Sequence, residues 1–219
     1  MNASKMVKSI LGDMRKTIEE LYDKNLVRDY RPPSCQKTAK ESYEISFPGK
    51  DRNICNIVYD EHISGENIMD KLLSGQQYSL LLYDKSIIQA EFIVENEMIS
   101  KERLVFMKKH NKIWTIDEIK EYENNDLDWF SDEQGVPIFL RIDYDPKNHT
   151  DVEHPATHLT LSNHKSCRIP IKSIVTFSEF TKFVMFHFYG IQTNLKQCRG
   201  VYDDTITQIE RKMIHINWE

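Results

Sequence analysis

The stretch that most restricts what this chain can fold into lies between Tyr78 and Val94. Tyr78-Ser-Leu-Leu-Leu-Tyr83 and Ser86-Ile-Ile-Gln-Ala-Glu-Phe-Ile-Val94 are two runs rich in aliphatic, β-branched and aromatic residues, separated by Asp84-Lys85. Two such runs around a short polar pair predict a β-hairpin. A third strand follows at Arg103 to Lys108. An earlier one, closed by Pro48-Gly49, is predicted where Tyr43, Ile45 and Phe47 alternate with polar residues.

Helical periodicity brackets these strands. Val7, Ile10, Leu11, Met14, Ile18, Leu21 and Tyr22 recur at helical spacing, which predicts one helix over residues 4–27 with Ser4 as N-cap. Its stripe packs on the chain's own core or is offered to a partner. Pro32-Pro33 marks a connector. A short helix is expected near Ile68 to Leu73. Another is opened by Thr115, with Glu118 completing a capping box. Pro137-Ile-Phe-Leu-Arg-Ile-Asp-Tyr-Asp-Pro146 is a strand bounded by prolines, followed by short strands at Thr157 to Leu161 and Cys167 to Ile171. A helix rich in phenylalanine runs from Phe177 to Tyr189, stopped at Gly190, and is expected to be buried on most sides with His187 in the core. The last helix, Tyr202 to His215, carries Ile206, Ile209 and Met213 on one face.

Runs of strands with helices segregated outside them predict an α+β fold: a mostly antiparallel sheet covered by helices, with a long N-terminal helix and two C-terminal helices. At 219 residues a single domain over 1–219 is expected, with the N-terminal helix in 1–30, the sheet core in 43–189 and the C-terminal helix in 200–215. A composition 40% hydrophobic, with only 7 glycines and 7 prolines, suits a packed core rather than a disordered chain. A net charge of −5 lacks the overall basic excess that normally accompanies phosphate-backbone binding, though it leaves room for a local basic groove, so nucleic acid is a partner that the charge does not indicate. The four cysteines are scattered without a CxxC pair, which excludes a zinc ribbon and argues against a disulfide framework. With no signal-like or membrane-length apolar run, a cytoplasmic location without membrane attachment is expected.

Parity within strands gathers one polar constellation, because alternate residues share a face. Ile138, Leu140, Ile142 and Tyr144 point one way; Arg141, Asp143 and Asp145 point the other. Leu159 and Leu161 are apolar partners, while His158 and Thr160 share the opposite face with Arg168 of the next strand. If these strands pair, Arg141, Asp143, His158, Thr160 and Arg168 form one patch, flanked by His154 and His164. Ordinary salt bridges on a solvated sheet face are the alternative.

Three chemistries are compatible with the patch. A divalent metal could be held by His154 and His158 with Asp143 or His164, although His154-Pro-Ala-Thr-His158 has helical rather than strand spacing. No other cofactor is expected. Phosphoester chemistry would use His158 as acid or base and the forks of Arg141 and Arg168 for phosphate. There His158-Leu-Thr160 matches one half of a two-part His-x-Ser/Thr pattern whose other candidate is His62-Ile-Ser64. A ribonuclease pairing Arg103 with His110 needs helical spacing on a segment that reads as a strand. Gln89 and Cys167 read as structural, the first bonding backbone and the second a small buried hydrophobe. No glycine-rich phosphate loop, nucleophile elbow or dinucleotide fingerprint is present.

Tyr78 to Gln89, Leu140-Arg-Ile-Asp-Tyr-Asp145, His154-Pro-Ala-Thr-His-Leu-Thr-Leu161, Cys167-Arg-Ile-Pro-Ile171 and His187-Phe-Tyr189 together resemble an uncharacterised bacterial domain-of-unknown-function family over roughly Tyr78 to Tyr189. The resemblance implies a setting in variable gene clusters linked to phage defence. There such proteins act as accessory or interaction subunits beside a larger enzyme encoded by a neighbouring gene. The Arg-x-Asp strand followed by a histidine-rich strand also resembles small toxin-like proteins, which implies a nuclease-like alternative.

Overall fold

The computed structural model describes residues 4–59, 63, 65–108, 120–121, 138–162, 167–195 and 202–217. Its centre is one sheet of nine strands: β1 (Val27–Tyr30), β2 (Ser34–Ala39), β3 (Ser42–Ser46), β4 (Leu80–Leu82), β5 (Ile87–Glu95), β6 (Met98–Lys108), β7 (Ile138–Tyr144), β8 (Thr157–Leu161) and β9 (Arg168–Pro170). The order is β1-β4-β5-β6-β7-β8-β9, with every named pairing antiparallel. The expected hairpin is β4–β5, and its turn places Lys85 at φ 60°. The fold is α+β, as the element pattern predicts.

The sheet forks at β5. One edge of this strand pairs with β6 throughout, while the other edge is shared between β4 at Ile87–Ile88 and β3 at Phe92–Glu95. Ala90 lies in the gap, and two buried serines close it. Ser79 Oγ accepts the Ala90 N–H at 3.1 Å, and Ser46 Oγ donates to the Ala90 carbonyl at 2.9 Å. Gln89 donates to the Gln77 carbonyl at 2.7 Å, the structural role its position implied. Buried backbone groups are thus satisfied where the ladder is interrupted.

Two helices seal one face. Helix α1 (Lys5–Asp23), N-capped by Ser4, buries Val7, Ile10, Met14, Ile18 and Leu21, so its stripe is consumed by the chain's own core. Two short helices follow, α2 (Arg52–Cys55) and α3 (Gly65–Ser74). Helix α4 (Phe177–Tyr189) begins with a complete capping box of Thr176 and Glu179 and ends on Gly190 at φ 65°, the left-handed geometry of a helix stop. Asp13 of α1 accepts the Ser178 N–H at 3.1 Å, placing a carboxylate at the start of α4. Beneath them Ile88, Ala90, Phe92, Leu104, Phe106, Ile142 and Leu159 form a continuous apolar layer.

Several expectations need correction. Tyr202–His215 is no long helix: the segment is irregular, its one helical piece a 3-10 turn at Glu210–Lys212. Thr205 N–H bonds the Lys172 carbonyl and Ile216 bridges Ile171, so the tail satisfies its backbone against β9's exit rather than within itself. His187 is exposed, its ring tilted against Phe183 at 4.5 Å and edge to face with Phe186 at 4.9 Å, and Phe186 is 48% exposed, so α4 is buried on one side only. Cys167 is half-buried, and Cys35, Cys55 and Cys167 are free thiols. The Thr115–Glu118 box, His62, Ser64, His110, His164 and Cys198 lie outside the described residues. No helix among the described residues is long and apolar enough to cross a membrane.

Candidate functional site

The face away from α1 and α4 is graded in rows that run across the strands. The first row, Ile87, Met107 and Phe139, is apolar and lies in the small core that Ile68, Met69 and Leu72 of α3 complete. The second row is Gln89, Val105, Arg141, Thr160 and Arg168. The third is Glu91, Arg103, Asp143 and His158, ending at Pro170. Charge therefore increases with distance from α3, and the parity argument holds: Arg141, Asp143, His158, Thr160 and Arg168 do share this face.

The third row is an ion-pair ladder. Lys50 reaches Glu44 at 3.0 Å and Glu91 at 2.5 Å, and Arg52 also pairs with Glu44. Glu91 faces Arg103 at 3.8 Å, and Arg103 faces Asp143 at the same distance. Asp143 Oδ2 accepts a hydrogen bond from Arg141 Nε at 2.5 Å and lies 3.8 Å from His158 Nε2. Arg141 lies over the Phe139 ring at 5.8 Å, which fixes its guanidinium from the apolar side.

At the β8 end the ladder opens into a pocket of about 190 Å³ lined by Lys101, Arg141, Asp143, Asp145, His154, His158 and Arg168. Its wall is the tight loop between β7 and β8. Thr150 and His154 exchange backbone hydrogen bonds, and Val152 takes φ 68° at the turn. Arg168 donates to the Glu153 carbonyl at 3.1 Å, tying β9 to that wall. His158 Nδ1 contacts the Pro155 carbonyl at 2.8 Å. Because a carbonyl only accepts, Nδ1 carries the hydrogen and Nε2 keeps its lone pair, directed toward Asp143.

Burial pushes the His158 pKa below the usual imidazole value, the Asp143 carboxylate opposing in part. Burial and then the Arg168 charge push His154 the same way. Both rings are therefore neutral near pH 7. A neutral imidazole keeps a lone pair that can accept a proton, although burial makes it a weaker base than a free one. Three cations against two carboxylates give the pocket an electropositive rim within a chain of net charge −5.

Thr160 shares the face but not the pocket: it is fully buried beneath it, with Oγ1 unpartnered. Lys101, Arg103 and Glu91 are participants that single-strand reading missed. Their signal was present, since Gln89/Glu91 and Lys101/Arg103 alternate with core residues in neighbouring strands. As a metal centre the expected set is poorly arranged. The His154 and His158 rings meet edge to face at 4.9 Å, His158 Nδ1 is taken by Pro155, and Asp143 is occupied by Arg141. Among the described residues, the donor atoms that do converge belong to His149, Asp151 and Glu210.

Strand order and this charged face define the class: an α+β protein on a forked antiparallel sheet, one side sealed by helices and the other carrying an ion-pair ladder and a small cationic pocket. The chain belongs to an uncharacterized conserved protein family (DUF2290), whose model matches residues 26–218. That span takes in all nine strands and leaves out the whole of α1. No curated protein and no solved structure matches the chain.

Proposed function

We propose that the pocket binds the phosphoryl group of a phosphoester, an RNA or a nucleotide, and that His158 is its acid–base residue. The observation that supports this most is the convergence of Arg141, Arg168 and Lys101 around a neutral imidazole whose proton-bearing nitrogen is fixed by Pro155. Guanidinium forks suit the non-bridging oxygens of phosphate, and they take up charge as it develops there. Nε2 accepts the proton of the attacking hydroxyl, and the Asp143 carboxylate 3.8 Å away stabilises the imidazolium that forms. At about 190 Å³ the pocket is smaller than the roughly 300–1,000 Å³ of sites that enclose a whole small molecule. It receives the reacting end of a larger ligand.

Cleavage of end-labelled RNA and of an activated phosphodiester by wild type, His158→Ala and Arg168→Ala tests this reading. Activity should vanish in the histidine variant, which also melts lower because His158 is buried. Arg168→Ala, at a more accessible side chain, should raise KM while leaving melting nearly unchanged. Full activity in His158→Ala sinks the proposal.

A second reading, an accessory subunit of a multi-protein system such as phage defence, draws on a different surface. Ile209, Met213 and Ile214 are 53%, 46% and 86% exposed on the C-terminal segment, an apolar group suited to a protein partner. The stripe of α1 gives it no support, being buried. Light scattering after size exclusion, alone and with products of neighbouring genes, separates the two: no complex with any neighbour removes this reading.

A further inference from the structure

Beside the pocket, three metal-ligating side chains meet where the β7–β8 loop touches the C-terminal segment. His149 Nε2 stands 3.4 Å from Asp151 Oδ1 and 3.6 Å from Glu210 Oε1, and all three donor atoms lie within 4.8 Å of one another. Charged hydrogen bonds between such groups close to about 2.7–2.9 Å, so these contacts are too long. They match the edge of a coordination tetrahedron instead, because ligands about 2.1 Å from Zn²⁺ stand about 3.4 Å apart. His149 Nε2 is itself buried with no hydrogen-bond partner, a condition that coordination relieves.

The surroundings hold the ligands in place. Glu210 is fully buried, its Oε1 accepting the Val152 N–H at 3.2 Å and its Oε2 the Thr207 N–H at 2.9 Å. Such bonds orient a ligating carboxylate and leave it a lone pair for the ion. The Asp151 side chain is 47% exposed, so a fourth position opens to water.

We infer that His149, Asp151 and Glu210 bind a divalent transition ion of the zinc class, with water completing the tetrahedron. The imidazole disfavours Mg²⁺ and Ca²⁺, which take oxygen ligands. Bound there, the ion staples the C-terminal segment to the loop that carries Glu153 and His154, and so stiffens the pocket wall.

Chelator-treated protein is titrated with zinc sulfate by calorimetry, with melting followed in parallel, for wild type, Asp151→Asn, His149→Gln and His158→Gln. Wild type should take up one equivalent and melt about 5–10 °C higher at free zinc a hundredfold above Kd. Asp151→Asn, at a half-exposed side chain that leaves the fold intact, and His149→Gln should each bind at least tenfold more weakly, and His158→Gln as wild type does. No uptake by wild type, wild-type affinity in either ligand variant, or weakened binding in His158→Gln overturns the site.

Discussion

Along β6, Leu104 and Phe106 go to one face while Arg103 and Val105 go to the other, and the two faces hold together by different means. Under α1 and α4 each buried side chain contributes about 1.5–3 kcal/mol by leaving water, whatever its precise orientation. On the opposite face the rows around Asp143 consist of ion pairs, whose attraction is largely offset by lost hydration. The first face supplies stability and tolerates rearrangement. The second supplies little net stability and fixes where charges stand, which is what a binding site requires.

The contrast can be broken most forcefully on the apolar face. Phe180 is fully buried there, and Phe180→Ala should cost about 3–5 kcal/mol in urea denaturation. A cost below about 1 kcal/mol would mean that this face is not the main core. On the charged face, Asp143→Ala removes the acceptor of the Arg141 Nε–H and the carboxylate facing Arg103 and His158. The expected loss is about 2–3 kcal/mol, below the figure for a fully enclosed pair because the pocket admits water. Arg141→Met combined with Asp143→Leu should recover most of it, and failure to recover would show that the pair carries net stability.

At the fork, Ser79→Ala leaves the Ala90 N–H unsatisfied and should cost about 1–3 kcal/mol, whereas a surface serine costs almost nothing.

Glu102 is the exception that sharpens the comparison, a carboxyl within the apolar face. It is fully buried and neither oxygen has a hydrogen bond of ordinary geometry. Burial raises its pKa well above the usual carboxylate range, the Val175 backbone opposing in part, so folding favours its protonated form. The stability tied to that proton is present below the unfolded pKa. It is lost as pH rises toward the folded value, at up to about 1.4 kcal/mol per pH unit. Glu102→Gln should flatten that part of the stability profile, and an unchanged slope would show that the residue does not titrate with unfolding.

What was legible in the sequence follows from which signals are local. The β4–β5 hairpin, both long helices and the parity of β7, β8 and β9 rest on periodicity and turn chemistry, and Ser4 and Gly190 mark helix ends as read. β1 and β2 were not legible: Val-Arg-Asp-Tyr and Ser-Cys-Gln-Lys-Thr-Ala show no alternation, because β2 is exposed along its whole length. The C-terminal segment misled for the opposite reason. Ile206, Ile209 and Met213 do recur at helical spacing, yet long-range bonds from Thr205 and Ile216 to the exit of β9 override it. Within the site, parity grouped the side chains correctly but could not tell that Thr160 sits beneath the pocket while Lys101 reaches it.

The branching of the sheet at β5 has a consequence for how the molecule opens. β1 and β4 hang from one half of that strand, and β2 and β3 from the other, so no ladder bonds join the two arms. The short link at residues 31–33, with Arg31 reaching the Pro48 carbonyl, couples them. Deuterium should therefore enter the two arms at separate rates, and reach the amides shared by β5 and β6 last of all.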